Sequence, residues 1–233
     1  MAFHPEKCTT LPDTDARKVL EYPYQLHGHT LETTDSANYL GVTINKDLGW
    51  NTHIDNICAR ANKTLGFFRR NLKIGSTSIK QTTFVRTIME YASTVWDPHA
   101  QHAIDKFEAM PRRTARYVLR RYHNTSSVKD MLEELQWPSL QQSCHIARVT
   151  MLYKIYNNHV SATGLKRRLT TPPPHQRRRH CHQFSQLQCR TQYRQHSFLP
   201  RTIREWNNLP ASVVAASTID TFMSRTSRLT FNC

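Results

Sequence analysis

The sequence predicts an α+β fold that is mostly helical, and three observations carry that reading. From Asn51 onward, apolar residues recur with the period of amphipathic helices. Ahead of them lie short β-favouring segments separated by turn residues. Before the C-terminus runs a basic stretch rich in Pro and Arg with no apolar period. The 233 residues therefore divide into a small β region over 1–50, a helical domain over 51–160, a basic, disordered linker over 161–196 and short C-terminal helices over 197–233.

In the β region, Val19 to Tyr24, Tyr24 to Leu26 leading through His27-Gly28 into His29 to Leu31, and Asn38 to Ile44 read as short segments, with hairpins around Gly28. A hairpin this small is marginal alone in water and needs the helices that follow.

The first helix is predicted over 53–72, where Ile54, Ile57, Cys58, Ala61, Leu65, Phe68 and Leu72 share one face and Asn51 or Thr52 supplies the N-cap. Its other face carries Arg60, Lys63, Arg69 and Arg70, with Lys73 just beyond. A second helix over 77–96 rests on Ile79, Val85, Ile88, Met89, Ala92 and Trp96, and Asp97-Pro98 ends it. A third over 100–121 turns Ile104, Phe107, Met110, Ala115, Val118 and Leu119 inward and exposes Arg112, Arg113, Arg116, Arg120 and Arg121. Pro111 removes a backbone donor from it at a cost of about 3 kcal/mol, which predicts a kink or break. Helices over 127–136 and 139–157 complete the bundle, the last burying Leu140, Cys144, Ala147, Met151, Leu152 and Ile155.

Lys166-Arg167-Arg168, Pro172-Pro173-Pro174 and Arg177-Arg178-Arg179 then read as an extended, mostly disordered linker. Order is expected again from Phe198: a short helix over Pro200 to Trp206, a turn at Asn207-Asn208-Leu209-Pro210, and a last helix through Leu229 opened by the capping pair Ser217 and Asp220.

The formal net charge is +15, and its excess sits in two blocks, +8 over 51–125 and +10 over 161–233. Clustered cations bind polyanions through counterion release, so nucleic acid is the expected partner. Six cysteines are dispersed, no secretory segment opens the chain, and no window approaches the roughly 20 apolar residues of a membrane span. These point to an intracellular protein, nuclear or cytoplasmic, with no membrane partner.

Candidate chemistry is sparse. Two-metal polymerisation needs paired carboxylates, yet no Asp-Asp pair exists, and Asp13 and Asp15 sit in a polar stretch without a hairpin pattern. His180, Cys181, His182, Cys189 and His196 offer soft ligands, but their spacing matches no recognised zinc knuckle and the segment is basic, so no cofactor is expected. No nucleophile elbow or Gly-rich phosphate loop is present. Trp96, Trp137 and Trp206 are candidates for stacking on bases, although helical spacing favours Trp96 as core.

Four stretches carry a resemblance: Tyr39-Leu40-Gly41-Val42; Leu65-Gly66-Phe67-Phe68-Arg69-Arg70-Asn71-Leu72; Glu90-Tyr91-Ala92 with Val95-Trp96-Asp97-Pro98; and Phe198-Leu199-Pro200-Arg201-Thr202-Ile203-Arg204-Glu205-Trp206-Asn207-Asn208-Leu209-Pro210. Together they closely resemble the post-catalytic part of non-LTR retrotransposon (LINE, jockey-like) reverse transcriptases. Phe3-His4-Pro5-Glu6-Lys7-Cys8 is similar to a palm segment of that family, with His4 in place of Asn; the family's lysine near the departing pyrophosphate carries over only to Lys7.

The resemblance implies a palm remnant over 1–50 with a primer-grip-like site at Tyr39, Leu40 and Gly41, and a thumb-like domain over 51–160 that follows a duplex by its backbone. Phosphate contacts then fall to Arg60, Lys63, Arg69, Arg70, Lys73, Arg112, Arg113, Arg116, Arg120 and Arg121. The chain departs from the family pattern by a deficit of about three residues between Ile79 and Tyr91, nearly one helical turn, and by Pro111 in place of a helix former.

The catalytic Asp pair and its magnesium belong to the intact parent enzyme, so the expected function is sequence-independent binding of RNA, DNA or their hybrid, without catalysis by this chain. Two alternatives stand beside it. One is a degenerate open reading frame with no selected activity, and the other an interaction module that docks on an intact element polymerase.

Overall fold

Turn chemistry shapes the N-terminal region of the computed structural model, which describes residues 4–12, 22–71, 85–123, 126–173 and 180–229. After a 3-10 turn at Pro5–Lys7 come β1 (Thr9–Thr10), β2 (Gln25–Leu26), β3 (His29–Thr30), β4 (Glu32–Thr33), β5 (Ser36–Tyr39) and β6 (Val42–Asn45). β1 pairs parallel with β4, while β2–β3 and β5–β6 are antiparallel hairpins. The expected hairpin at Gly28 is present, with His27 and Gly28 at φ 51° and 80°.

Asn38 to Ile44 is two strands rather than one segment. Leu40 and Gly41 take φ 48° and 81°, the two left-handed residues of a two-residue hairpin turn whose twist suits the flanking strands. Leu is an unusual first residue there, which is why the turn escapes a sequence reading.

The helical part follows: α1 (Asn51–Asn71), α2 (described over 85–90), α3 (Ser93–Trp96), α4 (Gln101–Leu119), α5 (Val128–Glu134), α6 (Leu140–Tyr156), α7 (Thr163–Lys166), α8 (Gln192–His196), α9 (Phe198–Asn207), α10 (Ala211–Val214) and α11 (Ile219–Ser227). The fold is therefore mostly helical with a few small sheets.

Several boundaries differ from the sequence reading for local reasons. The carbonyl of Trp50 already accepts the N–H of Ile54, so the predicted caps Asn51 and Thr52 are the first helical residues and Trp50 holds the cap position. The second helix does not continue to Trp96: Ala92 adopts φ 53°, and α3 restarts after it. α4 runs through Pro111 without a break. Pro111 is buried beside Val85, Met89, Trp137 and Leu140, and that packing offsets the missing hydrogen bond. Thr218 caps α11 by accepting the N–H of Thr221 at 3.2 Å, so the cap is one residue beyond Ser217.

Two cores are joined by α6. The first gathers Val42, Ile54, Ile57, Leu65, Met89, Trp96, Phe107, Met110, Leu140 and Cys144. The second gathers Val149, Leu152, Tyr153, Phe184, Leu199, Ile203, Trp206, Val213 and Phe222. A helix serving two cores must be buried on most sides, and α6 buries His145, Arg148 and Thr150 beside its apolar residues.

Residues 182–186 of the expected disordered linker are held by α9. Phe184 is buried, and its backbone N–H and C=O pair reciprocally with the Asn207 side chain at 3.0 and 2.7 Å. Trp206 Nε1 donates to the carbonyl of His182 at 2.8 Å, and Gln186 Nε2 to that of Pro200 at 2.8 Å. Isolated apolar residues stitched by side-chain-to-backbone bonds carry no period, so the sequence reading missed them.

Val19 to Glu21, residues 77–84 of the second helix, Lys73, Asp13, Asp15, Phe3, Arg177-Arg178-Arg179 and most of the stretch with the three-residue deficit lie outside the described residues.

Candidate nucleic-acid interface

The helices that carry the predicted phosphate contacts pack side by side in parallel. Asn51 Oδ1 meets His102 Nε2 at 3.0 Å, Asp55 pairs with Lys106, and Arg113 donates to Asn62 Oδ1 at 3.3 Å, each pair 51 positions apart. Constant spacing in one direction means that residue i of α1 lies along residue i+51 of α4. The basic stretch 60–70 therefore runs beside 111–121, and both occupy the C-terminal halves of their helices. Carboxylates Asp55 and Asp105 sit in the other half.

Arg60, Lys63, Arg69, Arg70, Arg112, Arg113, Arg116, Arg120 and Arg121 are all exposed, but they are not equivalent. Arg121 makes a two-pronged bond to Glu134, the shorter arm 2.7 Å. Arg69 lies over the Tyr117 ring at 5.5 Å, a cation–π contact that ties the two helix ends. Arg113 is held by Asn62. Among the described residues, no carboxylate pairs with Arg60, Lys63, Arg70, Arg112, Arg116 or Arg120. These six make up the open cationic surface of the pair, with Arg60 and Lys63 on its hairpin side. Arg70 and Arg116, in the last turns of α1 and α4, also complement the helix dipole.

The β5–β6 hairpin, which carries Tyr39, Leu40 and Gly41, adjoins this surface. Gly41 shares a cleft of about 410 Å³ with Asn38, Thr43, Asn56, Arg60 and Lys63. β6 is fixed on α1 by three bonds: Thr43 N–H to His53 Nδ1 at 3.1 Å, Asn56 Nδ2 to Thr43 Oγ1 at 3.2 Å, and Asn45 Nδ2 to Thr52 Oγ1 at 2.8 Å. The tip is apolar and open, with Tyr39 66% and Leu40 73% exposed. Tyr91 Oη donates to the Leu40 carbonyl at 2.9 Å, so two of the four quoted stretches meet here.

The third stretch meets the fourth in a buried ionic joint. Arg148 of α6 pairs with Asp97 and, in two-pronged fashion, with Glu205 at 2.6 and 3.2 Å. Arg201 reaches Asp97 at 3.2 Å and Glu205 at 3.5 Å. Burial opposes the charge on Glu205, but the hydrogen bond from His145 and the Arg148 guanidinium outweigh it and hold the carboxyl down at about 2. Sequence reasoning missed this joint because charges spread over more than 100 positions carry no local signature.

His53 was missed too. It is buried, and desolvation, helped by the Arg60 charge, lowers its pKa, in keeping with an unprotonated Nδ1 that accepts from Thr43. Glu108, also buried, accepts the N–H of Gln141 at 2.9 Å and so caps α6 from α4, while burial pushes its pKa up.

The remaining candidates do not converge. His180 faces the Trp206 carbonyl at 3.3 Å, His182 meets Tyr156 Oη at 3.3 Å, and His196 stacks on His99 at 4.0 Å. Among the described residues no group of three His, Cys, Asp or Glu is placed to hold a metal ion. Burial pushes the thiols of Cys58 and Cys144 up to about 11 and about 12, which keeps them protonated and unreactive. Trp96 and Trp206 are fully buried in the two cores and present no face to a base; Trp137 is half-buried. Lys7 is exposed in the 3-10 turn at Pro5–Lys7. No described helix is long and apolar enough to cross a membrane.

Fold and site together define a helical protein with two cores and a cationic face built on a parallel helix pair. Compared with protein-family models, curated proteins and solved structures, the chain finds no match in any of the three.

Proposed function

We propose that the chain binds nucleic acid through its phosphates, without reading sequence, along the face shared by α1 and α4, and that this chain by itself does not polymerise. The observation that carries this reading is the parallel register, which gathers six unpaired cations from two helices at one end of the pair. Guanidiniums on a rigid surface suit phosphate oxygens and carry no base code. Descent from a non-LTR retrotransposon polymerase is part of the proposal, and it rests on the quoted motifs alone.

An RNA–DNA hybrid titrated with the chain at two salt concentrations tests it, beside a variant carrying Arg112→Glu, Arg116→Glu and Arg120→Glu. The expected result is binding that weakens linearly in log salt, with a slope shallower in the variant by roughly 0.9 for each phosphate it no longer neutralises. Binding unchanged in the variant would overturn the assignment and leave a relic surface. Nucleotide incorporation with template, primer and magnesium would overturn the non-catalytic part.

A second reading has one observation behind it. Tyr39, Leu40 and Tyr91 form an open apolar tip, the kind of surface that docks on another protein, an intact element polymerase included.

A further inference from the structure

A second cleft, of about 700 Å³, opens between the turn that leads into α1, the corner joining α3 to α4, and the segment around α8. Its volume falls within the range of small-ligand pockets. Trp50, Val95, His99 and Tyr193 supply flat or apolar wall, and Arg168 and Arg194 stand on the same wall. Tyr193 is 50% exposed and Val95 57% exposed, so neither belongs to the core. The His99 ring lies against His196 with an interplanar angle of 6°, giving the cleft a rigid flat side.

The charges complement an anion. Among the described residues, neither Arg168 nor Arg194 pairs with a carboxylate. The acid on this wall, Asp47, accepts the N–H of Gly49 at 2.9 Å through one oxygen and retains the other as an acceptor. Aromatic rings on the cleft wall, Tyr193 half exposed and Trp50 partly buried against the first core, beside guanidiniums without a carboxylate partner, are what an unpaired base with its flanking phosphate matches, by stacking and by charge. A base inside a duplex already has both faces stacked and cannot enter.

We infer that this cleft is a single-strand site, taking an unpaired nucleotide with its base against Trp50 and Tyr193 and its phosphate at Arg168 and Arg194. It lies on residues distinct from the open cationic face of α1 and α4 and does not depend on that face working. Among the tryptophans, Trp96, Trp137 and Trp206 are the stacking candidates by sequence, whereas the structure brings Trp50 to this cleft.

The test uses the full chain and fluorescein-labelled deoxythymidine oligonucleotides of about 10 nucleotides, within single-strand site sizes, with an RNA–DNA hybrid measured in parallel. Tyr193→Ala is expected to weaken single-strand binding about tenfold, the effect of removing one base–aromatic stack. Arg168→Ala with Arg194→Ala is expected to flatten the salt slope by roughly 0.7 per phosphate no longer neutralised. Hybrid affinity should stay unchanged in both, which separates this site from the face of α1 and α4. Single-strand affinity equal to wild type in Tyr193→Ala overturns the inference, and so does an equal loss of single-strand and hybrid binding.

Discussion

Arg120 occupies a position its backbone does not favour. It holds φ 52° at the C-cap of α4, where an L side chain costs about 1–2 kcal/mol and glycine is the usual occupant. Nothing in its cap hydrogen bonding offsets that strain, because the bond made there is the backbone N–H to the Arg116 carbonyl, which any residue would make. Arg120→Gly should therefore relieve the strain, less the roughly 0.4–1 kcal/mol that a glycine costs through a freer unfolded chain. The expected net is a gain of about 0.5–1 kcal/mol, seen as a rise of a few degrees in the melting temperature. The same substitution deletes one cation from the open face, so hybrid binding should weaken and its salt slope flatten by roughly one phosphate's worth. Opposite signs from one change separate the charge from the fold. If stability and affinity fall together, the fold needs the Arg120 side chain and its assignment to phosphate fails.

The β5–β6 hairpin depends on α1 through one titratable contact. Burial, helped by the Arg60 charge, lowers the pKa of His53, whose Nδ1 accepts the Thr43 N–H and whose ring packs 5.1 Å from Trp96. The unfolded chain takes up a proton at this residue below about 6.5, while the lowered folded value resists it. The unfolded state then binds more protons, so the stability from this contact is present above 6.5 and is lost as pH falls through and below it. Melting temperatures from pH 7.5 down to 5.5 should decline in the wild type and decline less in His53→Gln, which keeps an acceptor for Thr43 but cannot titrate. Superimposed declines would sink the idea. The same hairpin marks the limit of what was legible from residues. The apolar faces of α1 and α4 announced themselves because each buries a periodic stripe. The turn at Leu40, the restart after Ala92 and the strip around Phe184 did not, since each is decided by distant partners: the support of α1, the packing of Trp96, and the Asn207 side chain. The site divided in the same way. The basic residues could be named from the sequence, but periodicity says which face is buried and never against which helix, so the parallel register that gathers them was not readable.

At the scale of the whole molecule, two cores share α6, and the groups filling the seam are ionic rather than apolar. Asp97 ends α3, Arg148 lies mid-way along α6, and Arg201 and Glu205 belong to α9, so the network ties three elements across the joint. Two guanidiniums against two carboxylates leave no net charge buried. Removing one partner does leave one, at a cost of about 3–5 kcal/mol. Arg148→Met should therefore destabilise the chain by about that amount and also weaken the coupling between the cores. We expect one cooperative thermal transition in the wild type and two in the variant, followed by tryptophan fluorescence because Trp96 reports the first core and Trp206 the second. Acid should act on the same joint. Glu205 is held at about 2 against an ordinary carboxylate near 4.5, so its contribution is fully present above 4.5 and lost as pH falls from there toward 2. At about 1.4 kcal/mol per unit that is on the order of 3 kcal/mol, close to the cost of the substitution, and in Arg148→Met this acid dependence should shrink. A variant that melts in one step, within about 1 kcal/mol of wild type, would show that the cores are held together by α6 alone and that the ionic seam contributes nothing to their coupling.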